Sequence, residues 1–269
     1  MPTPAERLRA KLPQVFGRIK DSFTSNASSR RGATPRAAVI HTTESADGSL
    51  WAIVNYFKRA GTQASSSYVI ADGDPDKDGF TEVVRVVPES LKPWTQLSFN
   101  PFAVSYELIG RAKRTRDQWL GQYRAQLRTA AALVAEDMLQ YDWPVQKGVP
   151  GVLGHVDLSK YGFPQSHWDP GTGFPWDVFL QDVRQYYNLG KGVGVPSFPT
   201  IPVPPVVASR PAGVPRRIPQ WAWDHRAWDL SGRKGPRPAS VEKFLAANYR
   251  IPKWYWAWRP WYDKTGGIH

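Results

Sequence analysis

Three residues, far apart in the sequence, carry the side chains of a possible metal centre. His41 stands in "AVIHTTES", His155 in "GHVDLS" and Asp169 in "HWDPGTGFPW", two residues after a further histidine, His167. The chain has no cysteine, which excludes disulfides, a cysteine nucleophile and thiolate ligands. Any metal must therefore be held by His, Asp, Glu or water. A hydrolytic zinc site needs three protein ligands and an open fourth position for water. Spacing alone leaves the matter open, because the first two histidines are more than a hundred residues apart, and a histidine without context is more often a packed or surface residue than a ligand.

The elements that would position these residues can be read from the pattern of apolar residues. "AAVIHTT", "SSYVIAD", "EVVRVVP", "FAVSYELIG" and "VPGVLGHVD" read as strands from their β-branched and aromatic content. His41 and His155 each fall near a strand end, so adjacent strands would present both imidazoles at one sheet edge, with the Asp169 turn folding back to add a carboxylate. "RDQWLGQYRAQLRTAAALVAEDMLQYD" reads as one long helix with Leu120, Tyr123, Leu127, Ala131, Val134 and Met138 on one face. "WDVFLQDVRQYYNLG" reads as a closing helix ended by Gly190. The expected class is α/β, a mixed central sheet flanked by helices. Residues 1–36 precede it as a helical lead-in, with Leu8, Leu12, Val15, Phe16, Ile19 and Phe23 at helical spacing and Pro13 interrupting the run.

The segments "VIHTTES", "SYVIADG", "NPFAVSYELIG", "GHVDLS" and "HWDPGTGFPW" follow one another in the order found in a known family. Over about residues 37–185 the chain resembles the type-2 zinc N-acetylmuramoyl-L-alanine amidases, which include phage lysozyme-like amidases and peptidoglycan recognition proteins. The pairing of G-H-x-D with a downstream D-P-G-x-x-F-P-W carries most of that resemblance. It implies that His41, His155 and Asp169 bind one Zn²⁺, and that the bond cut joins the lactyl group of N-acetylmuramic acid to L-alanine of the stem peptide. It also implies that Glu107 steers the attacking water and shuttles its proton, and that the Tyr68 hydroxyl stabilises the oxyanion. His167 departs from the pattern, since many relatives carry Lys there. It is read as assisting the oxyanion or leaving group, with a rim position or a ligand role as alternatives. Asn100 matches a hydrogen-bonding position, and Trp94 and Trp168 are candidates to line the glycopeptide groove.

"DGDPDKDGF" places Asp74, Asp76 and Asp78 as in the start of a calcium loop. Arg85 stands where the twelfth-position Glu of such a loop belongs, and an acidic turn is the preferred reading.

Beyond the domain at 37–192, eight prolines between Pro196 and Pro219 predict an extended linker over 193–216. The remaining module, 217–269, is built on a repeat: "RIPQWAWDHRAW" recurs as "RIPKWYWAWRPW" 33 residues later. "PASVEKFLAANY" lies between as a short helix capped by Ser240. The formal net charge of +12 predicts an anionic partner. From Ile201 onward Lys and Arg number 12 against four acidic residues, with seven of the 13 tryptophans, so that expectation attaches mainly to the tail. Trp221, Trp223, Trp228, Trp254, Trp256, Trp258 and Trp261 are candidates to bind bacterial wall, through glycan or anionic polymer. A membrane-surface role is the alternative, and nucleic acid is not expected.

Catalytic domain, linker and targeting tail form the layout expected of a phage endolysin. The expected location is the host cytoplasm until a separate holin permits lysis, then the cell wall, because the N-terminus lacks an apolar signal region and no apolar run reaches the ~18 residues needed to span a bilayer. Two rival readings are a non-catalytic recognition protein using the same groove and a zinc peptidase cutting within the stem peptide.

Overall fold

Among the described residues, eight short strands and six α-helices, joined by short 3-10 turns, make up the N-terminal part of the computed structural model. The structure describes residues 1–164 and 166–193, and from the C-terminal part residues 219, 221–222, 224–225, 236–248, 252 and 255. The chain divides into two units, Met1–Ser197 and Phe198–His269. In the first, the strands are β1 (Ile19–Asp21), β2 (Ala27–Ser29), β3 (Ala37–Thr42), β4 (Tyr68–Ile70), β5 (Val83–Arg85), β6 (Leu91–Pro93), β7 (Ala103–Leu108) and β8 (Gly151–Gly154). The helices are α1 (Pro4–Lys11), α2 (Pro13–Phe16), α3 (Leu50–Lys58), α4 (Arg116–Leu120), α5 (Arg124–Gln140) and α6 (Trp176–Lys191).

Six strands form one sheet in the order β1-β5-β4-β7-β3-β8, and β2 pairs with β6 as a separate ribbon. All neighbours in the sheet are parallel except β4 with β5. It is therefore the mixed sheet that the strand pattern predicts. Successive side chains of a strand point to opposite faces, and here both faces are buried. Ala38, Ile40, Tyr68, Val104, Tyr106 and Leu108 join Leu127, Val134 and Met138 of α5 and Phe179 and Val183 of α6 in the larger core. Ala37, Val39, Ala103 and Leu153 face the other way, against Phe99 and Leu158. His41, Ser105 and Glu107 continue this second face toward the C-terminal ends of β3 and β7.

Several elements differ from expectation. The lead-in 1–36 is not only helical: α1 packs on α5 and α6, while β1 adds an edge strand to the main sheet. Pro13 begins α2 rather than kinking a longer helix, because the first helical position needs no amide donor. Helix α3 buries Leu50, Val54 and Phe57 at i, i+4, i+7 over Val69, Val84 and Val86. The long helix breaks at Gly121, whose φ of -94° and ψ of -89° leave the helical region. Arg124 then starts α5 and makes a bidentate, buried ion pair with Asp182 of α6. Removing either partner would leave a buried charge uncompensated, at a cost of about 3–5 kcal/mol.

In the second unit the described residues form an aromatic cluster around α7 (Ala239–Asn248). Trp221 stacks on Phe244 with ring centroids 3.9 Å apart and meets Tyr255 at 5.5 Å. His225 Nδ1 lies 2.8 Å from the Tyr255 hydroxyl. Tyr255 occupies the same repeat position as Ala222, and through it the second repeat meets Trp221 and His225 of the first. Ser240 lies inside α7, and its hydroxyl donates to Asp224.

Candidate active site

His41 and Glu107 are direct cross-strand partners on β3 and β7, so sheet register alone sets an imidazole beside a carboxyl. His155 follows β8, whose Ile40–Gly154 pairing brings it to the same end of the sheet. Asp169 arrives from the turn after it. Gly154 permits that approach, because a Cβ there would meet Pro170 Cδ at 2.6 Å. Gly171 closes the turn at φ +85°, with its Cα face against the Ala112 carbonyl. The G-H motif thus makes room for the D-P-G turn, since Gly154 admits the backbone that carries Asp169, while Gly171 seats that turn against Ala112.

The result is a buried trio. One ligand atom from each of His41, His155 and Asp169 lies within 4.8 Å of the others. Asp169 Oδ2 is 3.1 Å from His41 Nδ1, and its Oδ1 is 3.4 Å from His155 Nδ1. Burial pushes the His41 pKa down to about 4, against a smaller opposing effect of Asp169, so the ring is neutral at pH 7. For Asp169, burial alone would raise the pKa, yet the hydrogen bonds from His155 and His41 hold it well below the usual carboxylate range. Two imidazoles facing one carboxylate are the N and O donors that zinc accepts, so these three residues fit a zinc ion.

Glu107 is buried beside them, and its Oε2 has no hydrogen-bond partner. Burial raises its pKa to about 8, helped by the charges of Asp169 and Glu44. His167 stacks on His155 at 3.9 Å and 15° with its side chain 56% exposed. Its Nδ1 is 3.6 Å from Asp169 Oδ1, and burial followed by the neighbouring His155 lowers its pKa. It therefore borders the buried trio from the open side. Trp168 is exposed next to it.

Other expected site residues lie elsewhere. Tyr68 is on the opposite face of the sheet: its ring stacks on Tyr106 at 5.2 Å and its hydroxyl donates to Glu89 Oε1 at 2.5 Å. The cause is strand parity, since Tyr68 pairs with Tyr106 and its neighbour Val69 pairs with Glu107. Trp94 is half-buried and donates from Nε1 to Ser28 Oγ of the β2–β6 ribbon at 3.0 Å. Asn100 Oδ1 accepts the backbone amides of Thr95 (3.0 Å) and Gln96, fixing a turn beside the site. Asp74 and Asp78 accept backbone amides of their own loop, and Arg18 pairs with Asp76 and Asp78, which makes the calcium-like segment an acidic turn tied to the lead-in. Trp221 is buried in the tail cluster, while Trp223, Trp228, Trp254, Trp256, Trp258 and Trp261 lie outside the described residues, as does most of the linker.

One site residue was not singled out from the sequence. Gln96, wholly buried, places its amide nitrogen 2.9 Å from His41 Nε2. Nothing in "WTQLSFN" marks it.

The N-acetylmuramoyl-L-alanine amidase family model matches residues 31–172, more than half of the chain and every residue of the trio. Among solved structures, the Staphylococcus aureus hydrolase AmiA in complex with its ligand is 19% identical with a TM-score of 0.54, over 66% of this chain and 87% of that one. A selenomethionine derivative of AmpD is 20% identical (TM-score 0.47; 62% and 94% covered), and a mutant endolysin from Bacillus subtilis is 19% identical (TM-score 0.42; 61% and 97%). At such identity AmiA supports the fold alone. No curated protein matches the chain in sequence. The family match contains the G-H and D-P-G segments that bring His155 and Asp169 to His41, and on it the chain belongs to the N-acetylmuramoyl-L-alanine amidase family.

Proposed function

We propose that the N-terminal unit hydrolyses the amide between N-acetylmuramic acid and L-alanine in bacterial peptidoglycan, with one zinc ion held by His41, His155 and Asp169. The observation that carries this reading is the buried trio itself. The neutral ring of His41 and the ionised carboxylate of Asp169, buried together with His155, form a donor set whose burial a bound cation would offset. When bound, zinc would polarise the scissile carbonyl and lower the pKa of a water to about 7.

The protein's own groups do the rest. Glu107, whose carboxyl is poised near neutrality, takes a proton from the attacking water as its oxygen bonds to the lactyl carbonyl carbon. It returns that proton to the alanine nitrogen as the C–N bond breaks, giving a lactyl carboxylic acid and a free amine, and the acid's proton then passes to the amine to leave a carboxylate and an ammonium. His167, on the open side, donates a hydrogen bond to the carbonyl oxygen as that oxygen gains charge. Trp168 offers an exposed ring for the muropeptide to pack on. A purely binding protein has no use for an unpartnered buried carboxyl beside such a trio, and Glu107 therefore favours catalysis over recognition alone.

The linker and tail complete an endolysin reading, in which the tail holds the enzyme at an insoluble wall and raises its local concentration. Trp221 supports the tail's own packing, so wall contact falls to the other tryptophans and the basic residues, with anionic polymer as the partner chemistry. In this reading the enzyme is phage-encoded, is released through a separate holin and meets peptidoglycan only at lysis. No helix among the described residues is long and apolar enough to cross a membrane.

Mass spectrometry of fragments released from purified peptidoglycan, with and without a zinc chelator, tests the reading. Intact stem peptides with a free L-alanine amine, released only without chelator and lost in Asp169→Ala, are expected. Cuts inside the stem peptide would make it a peptidase, and binding without release would make it a recognition protein.

A further inference from the structure

An imidazole that binds a metal through one nitrogen carries a proton on the other, and that proton needs an acceptor if it is buried. His41 meets this condition in an unusual way. Its Nδ1 faces Asp169 at 3.1 Å. Its Nε2 faces inward, 2.9 Å from the side-chain amide of Gln96. The same amide reaches the hydroxyl of Ser105, on the strand next to His41. Gln96 is fully buried, although Leu97 and Ser98 after it are exposed.

The backbone is shaped to send this one side chain inward. Asn100 Oδ1 accepts the amides of Thr95 and Gln96. Leu97 then takes a left-handed φ of +52°, a conformation that costs a leucine energy and persists only where surrounding structure fixes it. The cost yields no burial for Leu97, which is 74% exposed. It is explained if the turn exists to hold Gln96.

We propose that Gln96 is a positioning residue for the metal site, accepting the His41 Nε2 proton and so selecting Nδ1 as the ligating nitrogen. The inference rests on the zinc reading given above. In the metal-free protein the Gln96 amide nitrogen donates to His41 Nε2, and the ring proton sits on Nδ1, donating to Asp169. With a metal at Nδ1 the ring proton resides on Nε2 instead. A half-turn of the amide about its last bond then offers Oε1 in the same place, accepting from both His41 and Ser105. An amide serves both states because its two ends have nearly the same shape and opposite hydrogen-bonding character. Asn100 acts one step further out, through the backbone that carries Gln96.

The test measures zinc affinity on the full chain by competition with a chromophoric chelator, comparing the wild type with Gln96→Met and Gln96→Glu. Gln96→Met keeps the volume and removes the acceptor, and it is expected to weaken zinc binding about 10–100-fold. Gln96→Glu keeps the acceptor, and its affinity is expected to stay within a few-fold of wild type. A residue needed only for packing would give the reverse order, because a buried carboxylate is worse tolerated than a thioether. Wild-type affinity in Gln96→Met, or equal loss in both variants, would overturn the inference. A wild type that takes up no zinc would overturn the metal reading itself, a separate result. Should the variants fold poorly, ¹⁵N NMR of histidine in zinc-loaded wild type decides the matter: a proton on His41 Nε2 supports the assignment, and metal at Nε2 refutes it.

Discussion

Tyr106 and Glu107 are neighbours on β7, and each faces a different side of the same sheet. Both sides hold a buried carboxyl. On the α5 side, the Tyr106 hydroxyl donates to Asp137 at 2.6 Å, while Tyr68 and Tyr141 donate to Glu89 at 2.5 and 3.0 Å. On the other side, Glu107 Oε2 has no donor, and its neighbours include His41 and the carboxylate of Asp169. Burial is the largest cause raising the pKa of both groups, and it raises Asp137 well above the carboxylate range. Neighbouring carboxylates add to the rise on both faces, Glu89 and Glu136 at Asp137 and Asp169 and Glu44 at Glu107, but only Asp137 has a hydroxyl, that of Tyr106, working against it. Burial and a raised pKa are thus common to both faces. What distinguishes the functional side is a polar atom left unpartnered next to groups that can bind a ligand.

Glu107→Gln tests this difference between the faces most severely. Turnover on peptidoglycan should fall about 10²–10⁴-fold, the usual contribution of a general acid–base group, with zinc content unchanged. Stability should respond in the opposite sense. The folded pKa of Glu107, about 8, lies above its ordinary 4.5, so the stability linked to its proton is present below 4.5 and lost as pH rises through 8. For His41 the folded pKa of about 4 lies below 6.5, so its contribution is present above 6.5 and lost as pH falls through 4. The two slopes oppose each other between 4.5 and 6.5, and above 6.5 only that of Glu107 remains. The share of Glu107 in the stability of metal-free protein should therefore fall by about 2 kcal/mol between pH 6.5 and 8, and Glu107→Gln should remove that share in thermal melts while the slope from the buried Asp137 and Glu136 remains. A variant that keeps its activity would remove the distinction between the two faces.

Tyr106→Phe probes the other side. It leaves Asp137 buried without its hydroxyl donor, and chemical denaturation should show a loss of about 1–3 kcal/mol. Turnover of the folded fraction should stay within about twofold of wild type. A large fall in kcat at unchanged stability would mean that the hydroxyl–carboxyl network on this face takes part in the reaction.

The sequence makes one face more legible than the other. His41, Glu107, His155 and Asp169 stand in segments whose order and residue types mark them, and the strands that carry them are rich in β-branched residues. Tyr68 stands in such a segment too, yet it turns away. A strand buried on both faces reads as a continuous apolar run, as "SSYVIAD" does, and nothing in that run says which alternate residues face the site. Register against β7 decides it, and register is a tertiary fact. Gln96 is hidden for a related reason: its role comes from a turn closed by Asn100 and from the left-handed Leu97, neither of which has a recurrent local signature. In the tail, the 33-residue repeat is plain in the sequence, but the packing of Trp221 between Phe244 and Tyr255 follows from long-range contacts that the repeat alone does not specify.

The smallest expected effect belongs to Tyr68→Phe, and it separates resemblance from geometry most cleanly. The resemblance gives this hydroxyl an oxyanion role, which would cost roughly 10²–10³-fold in kcat on removal. The geometry gives it a hydrogen bond to Glu89 on the far face and a ring stacked 5.2 Å from Tyr106. Phenylalanine keeps the stack, and Glu89 retains the hydroxyl of Tyr141 on its other oxygen. The expected outcome is a stability loss of about 1 kcal/mol, with kcat and KM on purified peptidoglycan unchanged. A fall in kcat of a hundredfold or more would show that Tyr68 reaches the reacting carbonyl in the working enzyme, and the division of labour between the two faces would then fail at β4, where the resemblance and the sheet register disagree.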